Sequence, residues 1–379
     1  MSLAPGEILI DRQRRAQAGL GGLGIDALLV TSLPNVFYLS NHGGSAGVIL
    51  LTDRDADLLV DARYAEAVEQ RQASPAACPG LRVRNVPASY DQAIVECIRE
   101  LGCARVGIEA GHMTVARHAW LTEALAAVST FVELRQTSNL IEYARTVKDA
   151  HEQEQLRQAA SSLGPVAEAA FGAVWPGATE RDVAGAIEGA MRLAGYDRTA
   201  FDTIVGSGPN GARPHHQAGD RRIDVGDLVV LDFGGVLDGY CSDLTRTVSV
   251  GECSAKSGLV YAAVLDAQRA AIEAIRPGVA ASEVDAAARR VLDDRGLGHA
   301  FTHGTGHGLG LEVHESPRVA RSRSDTGASE AILRPGMVFT VEPGAYLPGW
   351  GGVRIEDDVL VTEEGYEVLT SVTRELLML

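Results

Sequence analysis

Over the first ~140 residues, short apolar runs alternate with amphipathic stretches. IDALLV (25–30), AGVILLT (46–52) and DADLLVDARY (55–64) read as strands. SYDQAIVECIRELG (89–102) has the apolar spacing of a helix, and RVGIEAG (105–111) returns to strand. This alternation predicts an α/β domain, and it holds no cluster of ligand-type residues. At RTVKDAHEQEQLRQAASSLGPVAEAAFGAV (145–174) the pattern becomes that of one long helix, opening with many charges. A domain boundary is expected just before it, which divides the chain into 1–142 and 143–379.

The second domain repeats itself. PGATERDVAGAIEGAMRLAG (176–195) and PGVAASEVDAAARRVLDDRG (277–296) have equal length and lie 101 residues apart. Each starts Pro-Gly, runs as an amphipathic helix and stops at glycine, a common helix end. Each is followed by a pair of apolar strands. Two helix-plus-strand halves predict pseudo-twofold symmetry, with any shared site between them.

Those strand pairs carry acids where acids are costly. GDLVVLDFGG (226–235) contains Asp232, YCSDLTRTVSV (240–250) Asp243, GMVFTVEPGAY (336–346) Glu342 and GGVRIEDDVLV (351–361) Glu356. An ionised carboxylate in an apolar strand is strongly disfavoured unless compensated, and four converging ones repel each other. Arg246 and Arg354 are the main cations nearby in sequence. A divalent metal answers both problems, because hard cations prefer oxygen ligands. With His307 the set becomes Asp, Asp, His, Glu, Glu. That is too many ligands for one tetrahedral ion and suits two ions bridged by carboxylates.

His307 lies in HGTGHGLGLEVHE (303–315), with His303 and His314 nearby. A dinucleotide loop fails here, since counting from Gly304 or Gly306 puts leucine at the sixth position and no strand precedes it. A Walker loop fails for want of GK[ST], and a zincin helix fails because HExxH is absent. What remains is an irregular glycine-rich segment, in which glycine lets backbone approach a metal or substrate. His215, in NGARPHHQAGDRR, sits in a polar loop before the first acidic strand. Its neighbour His216 reads as an ordinary loop residue, and Tyr346 and Trp350 as packing or cavity lining.

Composition narrows the partners. The formal charge of −16 would repel nucleic acid and anionic membrane. No apolar run approaches the ~20 residues of a membrane span, and the first twenty residues lack an apolar signal core. Five cysteines without CxxC read as free thiols in a reducing cytoplasm.

Together these stretches resemble the pita-bread metallopeptidases, within them the Xaa-Pro aminopeptidases and prolidases. PHHQAGDRRIDVGDLVVLDFG, GYCSDLTRTV, FTHGTGHGLGLEVHESP, LRPGMVFTVEPGAY and GWGGVRIEDDVLVTEEGYEVLT carry the likeness through nearly the whole second domain. It extends more weakly upstream through NVFYLSN, LLVDARY and TVKDAHEQEQLRQAA. The resemblance implies a creatinase-like N-terminal α/β domain and a pita-bread C-terminal domain. It implies that Asp232 binds one metal, that Asp243 and Glu356 bridge two, and that His307 and Glu342 complete the other. It places His215, His303 and His314 at the substrate, and Arg354 in the cleft, since residues 354 and 356 share a strand face. The implied activity is that of an Xaa-Pro aminopeptidase, releasing the residue before proline through a hydroxide held between two divalent ions, manganese first among manganese, cobalt, zinc and iron. Glu342 is the expected base, and His215 the expected oxyanion donor. The alternatives are an Xaa-Pro dipeptidase, for which Arg318 could hold a substrate carboxylate, and a non-catalytic protein-binding relative. Expected partners are short proline-containing peptides and a second copy of the chain.

Overall fold

The computed structural model describes residues 2–128, 131–322 and 330–379. The chain forms two compact units, Leu3–Arg145 and Thr146–Leu379, the latter with the extreme N-terminus. The division falls at the end of the Leu140–Thr146 helix, beyond the boundary expected near residue 142.

The first unit is built on a six-stranded mixed sheet. Its strands run in the order Leu81–Val86, Ala56–Asp61, Val48–Thr52, Ala27–Val30, Arg105–Glu109, Glu133–Thr137. The three central strands are linked antiparallel, and the outer neighbours join in parallel. The apolar runs become strands because both sheet faces are covered; Ala27–Val30 is buried throughout. In DADLLVDARY only Ala56–Asp61 is strand. Asp61 then caps the next helix by accepting from the Arg63 amide.

In the second unit the single long helix expected over 145–174 is two, Ala150–Ser161 and Leu163–Ala173. The first starts late because Asp149 and Glu152 form a capping box, after Val147 has bridged to Met337. The break follows from Pro165, which has no amide to donate to Ser161 and whose ring crowds that carbonyl.

The repeat is visible in the fold. Glu180–Leu193 packs on Leu163–Ala173, and Ala281–Asp294 packs on Ala255–Glu273. The corresponding end glycines, Gly195 and Gly296, both take positive φ (95° and 70°), a conformation that side chains with a Cβ resist. Each helix pair covers its own sheet. One has strand order Leu244–Ser249, Leu228–Phe233, Ile204–Ser207. The other runs Glu315–Val319, Gly306–Gly308, Val338–Val341, Asp357–Val361, Tyr366–Val368. Two separate buried apolar clusters result, one for each half.

Candidate active site

One backbone arrangement, used twice, delivers the four acids. Leu228–Phe233 pairs antiparallel with Leu244–Ser249, and Val338–Val341 with Asp357–Val361. In each half the chain leaves the long pair through a shorter outer hairpin, Gly235–Leu237 with Tyr240–Cys241 and Gly344–Leu347 with Gly351–Arg354. The acids stand at these junctions. Asp232 is the penultimate residue of its strand, Asp243 and Glu356 immediately precede theirs, and Glu342 immediately follows Val341. All four line one cavity of about 990 Å³, together with His307 and His215. The two halves are tied there. The Glu356 amide donates to the Thr245 carbonyl at 3.1 Å, and the Thr245 hydroxyl donates to the Glu356 carboxylate at 2.6 Å.

His307 is oriented by its own backbone neighbourhood. Nδ1 lies 3.1 Å from the Gly308 carbonyl and therefore carries the proton. Nε2 then presents a lone pair towards Glu342 Oε1 at 3.5 Å and Asp243 Oδ2 at 3.9 Å. Burial and the neighbouring His314 ring push the His307 pKa down to about 4, so the imidazole stays neutral. A lone pair facing carboxylate oxygens is repulsive unless a cation or a proton lies between them.

The acids tell the same story. Burial, then the charges of Glu356 and Asp232, holds Asp243 well above its ordinary range. Burial, then Glu342, does the same for Glu356. Glu342 is pushed up to about 8 by burial, partly relieved by Arg354. Asp243, His307 and Glu356 offer donor atoms that all lie within 4.8 Å of one another. Asp243 Oδ1 is buried with no hydrogen-bond partner among the described residues. A neutral imidazole nitrogen, an unanswered carboxylate oxygen and further carboxylates fit a divalent ion. Asp232 and Glu342 stand beside this trio in the same cavity.

The cations part company. Arg354 forms a buried ion pair with Asp232, while Nη1 donates to the Tyr346 hydroxyl at 2.7 Å and Nε to Thr245 at 3.2 Å. Tyr346 in turn meets His303 Nε2 at 2.8 Å, and His303 Nδ1 meets the Gly304 carbonyl at 2.7 Å. Burial and the charge of Arg354 push His303 down to about 4, so this ring is neutral, with both nitrogens occupied by protein groups. Arg246 turns away from the cluster and pairs with Asp357 at 2.8 Å. His314 is exposed and lies edge-on to His307, ring centroids 4.3 Å apart. Neither Tyr346 nor Trp350 lines the cavity; Trp350 packs under Lys256, 4.4 Å from its ring.

The glycine-rich stretch differs from expectation. Gly306–Gly308 is a strand inside the five-stranded sheet, not an irregular loop. Gly304 and Gly306 line the cavity, and at Gly306 and Gly308 neighbouring backbone also approaches closely. A Cβ on Gly306 would sit 1.8 Å from the Thr340 carbonyl oxygen, and one on Gly308 would sit 2.2 Å from that of Ser316.

Several supporting residues escaped the sequence reading. Asp285 accepts from the Thr305 amide and hydroxyl at 3.0 and 2.9 Å, and the Thr305 carbonyl accepts from the Glu342 amide at 2.8 Å. Thr340 accepts from the His307 amide at 3.2 Å and donates to Glu342 at 3.3 Å. Glu180, at the start of the Glu180–Leu193 helix, binds His216 at 2.8 Å.

Comparison with known proteins agrees with this geometry. Residues 154–363 match metallopeptidase family M24, and residues 12–147 match the creatinase/prolidase N-terminal domain. The chain is 37% identical to an Xaa-Pro dipeptidase of Pyrococcus horikoshii, over 93% of this chain and 95% of that one. It superposes on an Xaa-Pro dipeptidase structure from Bacillus anthracis with a TM-score of 0.91 at 37% identity, covering 98% and 100% of the two chains. An X-Pro aminopeptidase structure from Thermotoga maritima gives 0.82 at 32% identity, covering 94% and 98%. No described helix is long and apolar enough to cross a membrane.

Proposed function

This chain belongs to metallopeptidase family M24, with a creatinase/prolidase N-terminal domain ahead of the peptidase domain, and on that premise we propose that it hydrolyses the bond before proline in short peptides, as an Xaa-Pro dipeptidase. The observation that carries the site assignment is the convergence of donor atoms of Asp243, Glu356 and His307 within 4.8 Å, beside Asp232 and Glu342. These five residues are the proposed ligands for two divalent ions. Manganese is the first choice, because the donor set is rich in oxygen.

The ions, when bound, supply Lewis acidity and an activated water. Glu342 accepts the proton of the attacking water, a task suited to a carboxylate that faces the cavity. His215, on the loop lining the cavity, donates to the developing oxyanion. His314 steadies the peptide beside His307. Arg354 holds Asp232 in place, and Tyr346 and His303 fix that guanidinium.

Arg318 favours the dipeptidase over the aminopeptidase. It lies opposite His307 across the strand pair and lines the cavity. It is exposed and forms no ion pair with another described residue. A cation so placed suits the free carboxylate of a dipeptide. The aminopeptidase reading draws support from the cavity itself, which at about 990 Å³ has room for more than two residues.

The test is a series of peptides with proline second, from two to five residues, assayed with manganese, cobalt and zinc. Cleavage confined to the dipeptide supports the proposal. Release of the first residue from every length establishes the aminopeptidase. Metal-loaded protein that cleaves neither overturns both.

A further inference from the structure

Glu180 is fully buried, stands outside the acidic cluster and is left unused by the mechanism above. Its carboxylate gathers five donors. Oε1 accepts from the Ser207 amide at 2.9 Å, the Ser207 hydroxyl at 2.7 Å and Asn210 Nδ2 at 3.0 Å. Oε2 accepts from His216 Nε2 at 2.8 Å and the Gly219 amide at 3.2 Å. Burial pushes this carboxyl up, but hydrogen bonds from His216 and Ser207 outweigh it and hold it below its ordinary value. An ionised carboxylate only accepts, so His216 Nε2 carries a proton.

All five donors lie between residues 207 and 219, the segment that carries His215. The same segment is gripped from the other side, where Arg354 Nη2 donates to the Pro214 carbonyl at 3.4 Å. His215 therefore sits between two anchored neighbours. Pro214 is tied to the arginine that holds Asp232, and His216 is tied to Glu180. An exposed loop histidine, otherwise free to sample many rotamers and backbone states, has its backbone fixed at the cavity wall. Positioning of this kind governs rate, because a donor displaced by about 1 Å loses much of its effect on a transition state.

We propose that Glu180 is a positioning residue of the active site, acting through His216 and the 207–219 backbone to set His215 against the reacting carbonyl. The proposal rests on the oxyanion role assigned to His215.

The experiment is a double-mutant cycle in the full, metal-loaded chain on an Xaa-Pro dipeptide. Glu180→Gln and His216→Ala should each lower kcat about tenfold, with KM and bound metal per chain unchanged. His216→Gln, whose amide can still donate to Glu180, should recover most of the rate. In a His215→Ala background neither change should lower kcat further, because residues acting through one group are non-additive. His216→Ala removes only one of the five donors, so it remains informative should Glu180→Gln fail to fold. Losses that multiply in the His215→Ala background overturn the inference while leaving His215's role intact. A His215→Ala variant with unchanged kcat overturns that role and the inference with it. A second readout is independent of turnover: the imidazole NMR signals of His215 should broaden in His216→Ala and sharpen again in His216→Gln, and signals unchanged in both overturn the inference.

Discussion

Asp243 and Asp358 share one hydrogen bond and leave two oxygens unanswered. The Asp243 amide donates to Oδ2 of Asp358 at 3.1 Å, and Oδ1 of each is buried without a partner among the described residues. The two oxygens have different surroundings. Asp243 lines the cavity and belongs to the trio with His307 and Glu356. Asp358 does not line the cavity; burial, eased by the Asp243 amide, holds its carboxyl well above the ordinary range. The first belongs to a residue of the cavity wall and the second to a residue packed behind it.

Replacing the two residues should therefore separate them. Asp243→Asn should lose bound divalent metal, measured as metal per chain after dialysis, and lower kcat/KM at least about 100-fold. Asp358→Asn keeps an oxygen for the Asp243 amide and should retain the metal. Full occupancy in Asp243→Asn would remove Asp243 from the ligand set.

Acidity in the metal-free protein has a definite sign. Glu342 has an ordinary value of 4.5 and is pushed up to about 8 in the fold, and Asp243 and Glu356 are also raised. A raised acid stabilises the fold fully below its unfolded value, and that contribution is lost as pH rises through the folded one. His303 and His307 go the other way, from 6.5 to about 4, so their contribution is complete above pH 6.5 and lost below. Between about pH 6.5 and 8.5 only the carboxylates act. Metal-free protein in chelator should melt at a lower temperature at pH 8.5 than at pH 6.5, and saturating metal should flatten the dependence. A metal-free melting temperature that rises over this window would contradict the electrostatic account of the cluster. Metal uptake should also release protons.

Arg318 offers a test of substrate choice that leaves the cluster alone. Arg318→Ala should raise KM for an Xaa-Pro dipeptide about 10- to 100-fold, the range for a charged hydrogen bond, with kcat little changed. An Xaa-Pro amide, which lacks the terminal carboxylate, should be processed equally by both proteins. Equal losses on the two substrates would show that Arg318 acts on something other than the carboxylate.

Gly306→Ala should destabilise the metal-free protein by about 3 kcal/mol, measured by denaturant unfolding, because its Cβ would meet the Thr340 carbonyl at 1.8 Å. Gly365→Ala, with nothing within 4 Å of the added carbon, should stay within about 0.5 kcal/mol of the parent. Equal stabilities would mean that the sheet around His307 yields more easily than its packing implies.

What could be read in advance followed from local physics. Asp232, Asp243, Glu342 and Glu356 interrupt apolar runs, and such interruptions are visible in one dimension. The paired Pro-Gly helices announced the repeat by their ends. Glu180 and Asp285 were invisible for the opposite reason. Each is a charged residue in an amphipathic helix, where acids are common on the solvated face. Only the fold turns them inward, towards segments far away in sequence. His216 was set aside because histidine in a polar loop carries no pattern, and its partner lies 36 residues upstream. The helix over 145–174 misled because apolar spacing continues across Pro165. The glycines of 303–310 were recognised as close-approach positions; Gly304 and Gly306 line the cavity, and neighbouring strands crowd Gly306 and Gly308.

The duplicated junctions divide the proposed ligand set between two stretches of polypeptide. Asp232 and Asp243 come from the earlier half, while His307, Glu342 and Glu356 come from the later one, and the halves meet through Thr245 and Glu356. The earlier half by itself therefore carries two of the five proposed ligands. On the proposed ligand set, the full set of donors exists only once both halves have formed and met.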